Sequence, residues 1–200
     1  MSSIKLTADS GGGTFEIKAP SSSGNTRVLT LPDTGNITVP DTNGITVVDN
    51  WYINSAISVG SGTNTLTANW ERGTSAQFGS IGSAMTQSSG IFTFPSTGVY
   101  YCSINGSFYR GTGDRRYLGF TIQTTTDDSS YSNATSNYDS VSGDTNSNTY
   151  AHVTSTAVFD VTNTSTHKVR FQTEAVDSGS SITDVSGRYL NVLFMRLGDT

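Results

Sequence analysis

The chain has 200 residues, of which 34% are hydrophobic, 10% aromatic and only 14% charged, with a net charge of −5. That length accommodates one medium domain with an appendage. The missing charge is replaced by Ser, Thr, Asn and Gly, which favour turns and pleated surfaces over helices. Eleven scattered Lys and Arg stand against sixteen Asp and Glu, so neither nucleic-acid binding nor membrane insertion is expected, and the single cysteine, Cys102, excludes an intrachain disulfide framework.

The first 50 residues offer only very short strand candidates, among them Ile4 to Leu6, Phe15 to Ile17, Val28 to Leu31, Ile37 to Val39 and Ile45 to Val47. Turn formers such as Asp9-Ser10-Gly11-Gly12-Gly13 and Pro32-Asp33-Thr34-Gly35-Asn36 separate them. So few apolar side chains close no core alone, and neither cysteine nor metal ligand staples them. Residues 1–50 are therefore expected to form an anchoring arm ordered by sister chains or a larger assembly, with Phe15, Ile17, Leu29 and Leu31 as anchors. Residues 51–65 read as a linker and 66–200 as the folded head. The N-terminus lacks an apolar run of signal-peptide length, so synthesis in a cytosol is expected.

From about residue 66 the pattern changes to longer strands with period-two alternation. Ile91-Phe92-Thr93-Phe94 runs to Pro95, and Val99 to Ile104 follows the Ser96-Thr97-Gly98 turn. Tyr117 to Thr124 places Leu118, Phe120 and Ile122 on one face. His152 to Val161 places Val153, Ala157, Phe159 and Val161 on one face and His152, Thr154, Thr156 and Asp160 on the other, and Lys168 to Gln172 repeats the motif. Such strands are half-buried members of an antiparallel sandwich. The last one differs: between Tyr189 and Leu197 it is apolar on both faces. Leu190, Val192 and Phe194 fill the core, whereas Tyr189, Leu193, Met195 and Leu197 need a second cover, and these four are the candidate interface with sister chains. The alternative is a second layer of the same chain.

The segment Gly90-Ile91-Phe92-Thr93-Phe94-Pro95-Ser96-Thr97-Gly98-Val99-Tyr100-Tyr101 resembles a Gly-x-Phe-x-x-Pro-x-x-Gly-x-Tyr strand pair of the C1q/TNF-like jelly-roll superfamily. Leu118 to Gln123, Val158 to Val161, His167 to Phe171 and the apolar terminal strand follow in that superfamily's order. The resemblance implies an all-β, antiparallel jelly-roll sandwich of ten strands that assembles as a homotrimer. Two features depart from it: there is no collagen stalk, and the segment from Thr125 to Thr149 is long and polar. Phe15 to Pro20 and Leu29 to Asn36 resemble segments near the N-terminus of bacteriophage fibre and decoration proteins, which implies a virion-surface location with capsid or tail proteins as partners.

Catalytic chemistry is not expected. Two histidines, His152 and His167, and one cysteine make none of the familiar metal sites, and neither a metal nor a cofactor is anticipated. Gly111-Thr112-Gly113 lacks the third glycine and the βαβ setting of a dinucleotide loop, and no nucleophile elbow occurs. Asp127, Asp128, Asp139 and Asp144 offer oxygen ligands for Ca²⁺, but their spacing fits no EF-hand. The stretch from Asp127 to Ser140 mixes Tyr with Ser and Asn, the composition of adaptable binding loops. Tyr131, Asn133, Asn137 and Tyr138 are accordingly the candidate receptor-binding residues, directed at a host surface glycan or protein. Three readings follow: a homotrimeric virion knob or short fibre that contributes to host attachment, a capsid decoration protein, and a soluble sugar-binding module.

Overall fold

The computed structural model describes residues 3–7, 14–18, 24, 44–110, 114–142, 149–175, 180–182 and 189–200, with 3–7, 14–18, 110 and 180–182 described through their backbone alone. The chain divides into two compact units, Met1–Asp41 and Thr42–Thr200. In the first, β1 (Ser3–Thr7) and β2 (Thr14–Lys18) pair antiparallel, with Ile4 opposite Ile17 and Leu6 opposite Phe15. Two strands alone are marginal in water. Of the four anchoring candidates Phe15 and Ile17 lie on β2; Leu29 and Leu31 lie outside the described residues.

The second unit contains β3 (Val48–Ile53), β4 (Ile57–Val59), β5 (Gly62–Thr65), β6 (Trp70–Arg72), β7 (Thr86–Ser88), β8 (Ile91–Thr93), β9 (Gly98–Arg110), β10 (Arg115–Thr125), β11 (Ser132–Val141), β12 (Thr149–Val161), β13 (Lys168–Ala175), β14 (Ser180–Ile182) and β15 (Leu190–Gly198). No helix occurs among the described residues. Sheet I runs β12-β9-β15-β3-β6, with β14 and β4 beside the far end of β9. Sheet II runs β11-β10-β13-β8-β7, with β5 on β13. Every pairing is antiparallel. Sheet I holds seven strands and sheet II six, three more than the ten that the family resemblance implies.

The expected boundaries are corrected. Residues 48–65, read as the end of the arm and a linker, form β3, β4 and β5 inside the two sheets. The reason is energetic: β3 covers the edge of β15 that faces away from β9, and it brings Ile53 and the partly buried Trp51 to the core. The Gly90 to Tyr101 segment also folds differently from a strand pair, since β8 belongs to sheet II and β9 to sheet I. The turn between them carries the chain across the sandwich, where Phe94 packs on Tyr100 at 4.6 Å between ring centroids. The Tyr100 hydroxyl donates to the Ser96 carbonyl at 3.1 Å.

Alternate residues of the long strands meet between the sheets: Tyr100, Cys102, Ile104 and Phe108 of β9, Leu118, Phe120 and Ile122 of β10, and Leu190, Val192 and Phe194 of β15 are all buried. Phe92 is the hub, with Trp51, Trp70, Phe171 and Phe194 between 5.1 and 5.6 Å from its centroid. Asp49 is the exception, a fully buried carboxylate on the core side of β3. It accepts from Trp51 Nε1 (2.9 Å), the Met85 amide (2.8 Å) and Arg72 Nε (2.6 Å). A buried charge persists only when paired and hydrogen-bonded in this way.

Side chains close the seam between β11 and β12. Asn137 Nδ2 donates to the Thr154 carbonyl at 2.9 Å, and Ser155 Oγ donates to the Phe120 carbonyl at 2.7 Å.

Candidate functional site

The outward face of sheet I follows from strand register. Val158, Tyr101, Met195 and Val48 stand opposite one another across β12, β9, β15 and β3, and Val48 bridges to Ile81. This makes a continuous apolar row, along which Val158 is 64% and Ile81 48% exposed. Leu197 is exposed at the same end of the face. At the other end Tyr109, Tyr150 and Tyr189 cluster, with centroids 6.1 and 6.2 Å apart. Eight residues of β9 separate Tyr101 from Tyr109, roughly 26 Å at ~3.3 Å per residue. Ser103, Asn105 and Ser107 lie between them on β9, opposite Thr156, Thr154 and His152 of β12. The four candidate interface residues Tyr189, Leu193, Met195 and Leu197 all lie on this face; Leu193 and Met195 are half-buried and Tyr189 and Leu197 exposed. What strand order added, and the sequence alone did not show, is that Tyr101, Val158, Val48 and Ile81 extend the same patch.

The polar segment from Thr125 to Thr149 is not a loop throughout, which is a second correction. Ser132–Val141 forms β11, a ten-residue edge strand of sheet II paired with β10. Alternation along β11 divides the four candidate recognition residues. Asn137 reaches the seam and bonds Thr154, linking the two sheets while remaining exposed. Tyr138 lies on the outward face of sheet II. It stands opposite Gly119, crosses that strand, and donates to Glu174 Oε2 of β13 at 2.7 Å. Tyr117 meets it edge-on at 5.6 Å. Burial and the Glu174 carboxylate raise the pKa of the Tyr138 hydroxyl. The Tyr131 ring lies under the Arg170 guanidinium, 3.9 Å from Cζ to centroid. Asn133 Oδ1 accepts from Gln123 Nε2 at 2.7 Å, and Gln123 Oε1 accepts from Arg170 Nε at 2.8 Å. Tyr131, Asn133 and Tyr138 thus contribute to one built face with Gln123, Arg170 and Glu174.

Gly119 is what lets Tyr138 lie flat. A Cβ there would come within 2.1 Å of the Asn137 carbonyl oxygen and 2.6 Å of Tyr138 Cδ1. Gly119→Ala is expected to displace β11 and Tyr138 at a cost of about 1–3 kcal/mol. Chemical denaturation measures the loss, and tyrosine fluorescence reports the displaced ring. An unchanged midpoint would show that β11 shifts freely.

No family model matches the chain, and no curated protein matches it in sequence. Among solved structures, Eiger TNF from S. frugiperda superposes with a TM-score of 0.58 at 11% identity, covering 79% of this chain and 96% of that one. Murine APRIL at pH 8.5 gives a TM-score of 0.53 at 13% identity, covering 76% and 98%, and at pH 8.0 gives 0.52 at 12% identity with the same coverage. The fold is a TNF-like jelly roll. The likeness of the head to the C1q/TNF-like superfamily is therefore borne out at the level of fold.

Within this TNF-like jelly roll most of the remaining reactive groups are held by contacts of the fold. The Ser130 and Ser129 amides and the Thr125 hydroxyl all point at Asp127, holding its carboxyl far below the usual carboxylate range. Asp127 thereby closes the turn from β10 into β11. Asp144 lies outside the described residues, and no group of three His, Cys, Asp or Glu placed to hold a metal occurs among the described residues. His167 is buried between the Thr162 and Thr166 hydroxyls and stacks on Phe159, whereas His152 is on the outward face of sheet I beside Ser107. Burial pushes the Cys102 thiol up to about 12, so it stays protonated at neutral pH.

Proposed function

We propose that the chain is a non-enzymatic structural protein of a bacteriophage virion surface. Three copies of the jelly roll pack through the outward face of sheet I, and the residues before position 42 attach the head to a capsid or tail protein. The outward face of sheet II is left free to meet a host surface glycan or protein. The observation that carries the assembly is the apolar row of Val158, Tyr101, Met195, Val48 and Ile81 with the tyrosine cluster on the same face. Contiguous exposed apolar surface marks an interaction site, and a repeated copy of the chain is the partner that a closed ring supplies. The threefold count rests on the likeness of residues 66–200 to C1q/TNF-like heads, and the virion setting on the likeness of Phe15 to Pro20 and Leu29 to Asn36 to phage fibre and decoration segments.

Sedimentation equilibrium of the full chain is expected to return three times the chain mass. Val158→Glu combined with Leu197→Glu is expected to give a folded monomer, because both side chains are more than half exposed in the single chain and their replacement costs the fold little. A wild-type monomer at micromolar concentration overturns the trimer. Gold-labelled antibody against the head tests the setting: label on the tail fits an attachment knob, label spread over the capsid fits the decoration protein, and unlabelled particles leave the soluble sugar-binding module.

A further inference from the structure

Along β12 the residues that point away from the core are Tyr150, His152, Thr154, Thr156, Val158 and Asp160, and all of them are exposed. His152 stands in the polar stretch between the tyrosine cluster and the apolar row. Its Nδ1 lies 3.2 Å from Oγ of Ser107, the residue opposite it on β9, and no ion pair among the described residues includes it. The carboxylates of this face are distant. Asp160 is eight residues further along the strand, roughly 26 Å at ~3.3 Å per residue. Glu71 is on β6, four strands away, roughly 19 Å at ~4.8 Å per strand. It accepts from the Tyr52 hydroxyl at 2.6 Å and from Asn54 Nδ2 at 3.0 Å. Asp139, on the adjoining edge strand β11, accepts from the Ser140 amide at 2.8 Å. The other titratable groups around His152 are the phenols of Tyr109, Tyr150 and Tyr189, which offer no counter-charge in acid.

We propose that His152 makes the association of the copies pH-dependent: as a neutral ring it is covered when the faces meet, and as a cation it drives them apart. This names a regulation of the interface proposed above and rests on that reading. Where copies meet through this face the cover is the same face, so it brings further imidazoles and the same scarcity of carboxylates. A charge withdrawn from water without a partner is costly, and like charges brought together repel. Histidine is the side chain whose charge changes between pH 8 and pH 5. The sign follows: separate chains take up protons that assembled chains exclude, so association is intact near neutral pH and weakens as the pH falls. With one histidine per chain, the association constant of a trimer falls by at most about a thousandfold per pH unit.

The test is sedimentation equilibrium of the full chain at about pH 7.5 and about pH 5, on either side of the histidine range, with circular dichroism at both to verify the fold. A trimer is expected at the higher pH and separate chains at the lower. His152→Asn keeps a polar group beside Ser107 but takes up no proton, and is expected to stay trimeric at both. His152→Arg carries its charge throughout and is expected to give separate chains at both. The side chain is exposed in the single chain, so neither substitution costs the fold much. Four results would overturn the proposal while leaving the trimer standing: a wild-type trimer that persists in acid, an Asn variant that dissociates as the wild type does, an Arg variant that is trimeric near neutral pH, or loss of the fold itself in acid. Separate wild-type chains near neutral pH would overturn the trimer, and this switch with it.

Discussion

Replacing Asp49 with alanine is expected to destabilise the jelly roll by about 3–5 kcal/mol, the range for breaking a buried, hydrogen-bonded ion pair by removing one partner. The substitution strands three donors at once. Trp51 Nε1 and the Met85 amide lose their acceptor inside the protein, each costing roughly 1–3 kcal/mol. Arg72, whose side chain is 29% exposed, loses its counter-ion but regains some water, which is why the sum stays at the lower end of a full accounting. Asp49→Asn keeps one acceptor oxygen and is expected to cost less. Thermal unfolding should show a fall of roughly 10 °C for the alanine variant, at 2–4 °C per kcal/mol for a domain of this size. A shift under about 2 °C would show that the cluster contributes nothing net, as some buried pairs do.

The second large effect concerns where the head begins. Deleting residues 1–41 is expected to leave a cooperatively folding domain, because that is the unit whose contacts are internal. Deleting residues 1–50 is expected to prevent folding. It removes Val47, which is buried, and Asp49 with its three bonds. It also removes half of β3, leaving Met195, Phe194 and Leu193 without their neighbours across the ladder. The Arg196 amide loses the Val47 carbonyl, and Val48 no longer pairs with Ile81. Losses of this kind add up to the 5–15 kcal/mol that a whole domain has. Urea denaturation of the two truncations followed by far-UV circular dichroism decides it: a cooperative transition for 51–200 would return β3 to the arm.

The head's strands were legible wherever one face is apolar. From Thr149 to Val161 burial alternates as the sequence does, because Val153 and Val161 have to leave water and His152, Thr154 and Asp160 do not. β3 was not legible, for a physical reason. Its core-facing positions hold Asp49, Trp51 and Ile53, its outward positions Val48, Asn50 and Tyr52, so an inward carboxylate and an outward apolar pair erase the period-two signal. The bonds that make Asp49 tolerable inside come from Arg72 and Met85, far along the chain. β11 was missed because Ser132 to Ser140 contains almost nothing apolar; its strand state is imposed by pairing with β10. The candidate site was legible in part for the same reason. Tyr138 has small polar neighbours along the chain, but its partners Gly119, Glu174 and Tyr117 come from two other strands. The outward row of β15 was readable because the pattern needs only its own residues, whereas Arg170 gave no signal until Gln123 and Tyr131 stood beside it.

The seam between β11 and β12 has a further consequence, for colloidal behaviour. Long edge strands expose rows of amides and carbonyls that template pairing with any other extended chain, the route by which sandwich proteins form fibrils. Here the Thr154 carbonyl on β12, an edge strand of sheet I, is already occupied by the Asn137 side chain. The edge therefore offers an intruding strand an interrupted row of acceptors. Protection of this kind keeps chains available for specific contacts. Asn137→Ala frees the carbonyl while leaving the aromatic core untouched, and the cost of that change should appear as faster fibril growth on prolonged incubation, even where equilibrium stability barely moves.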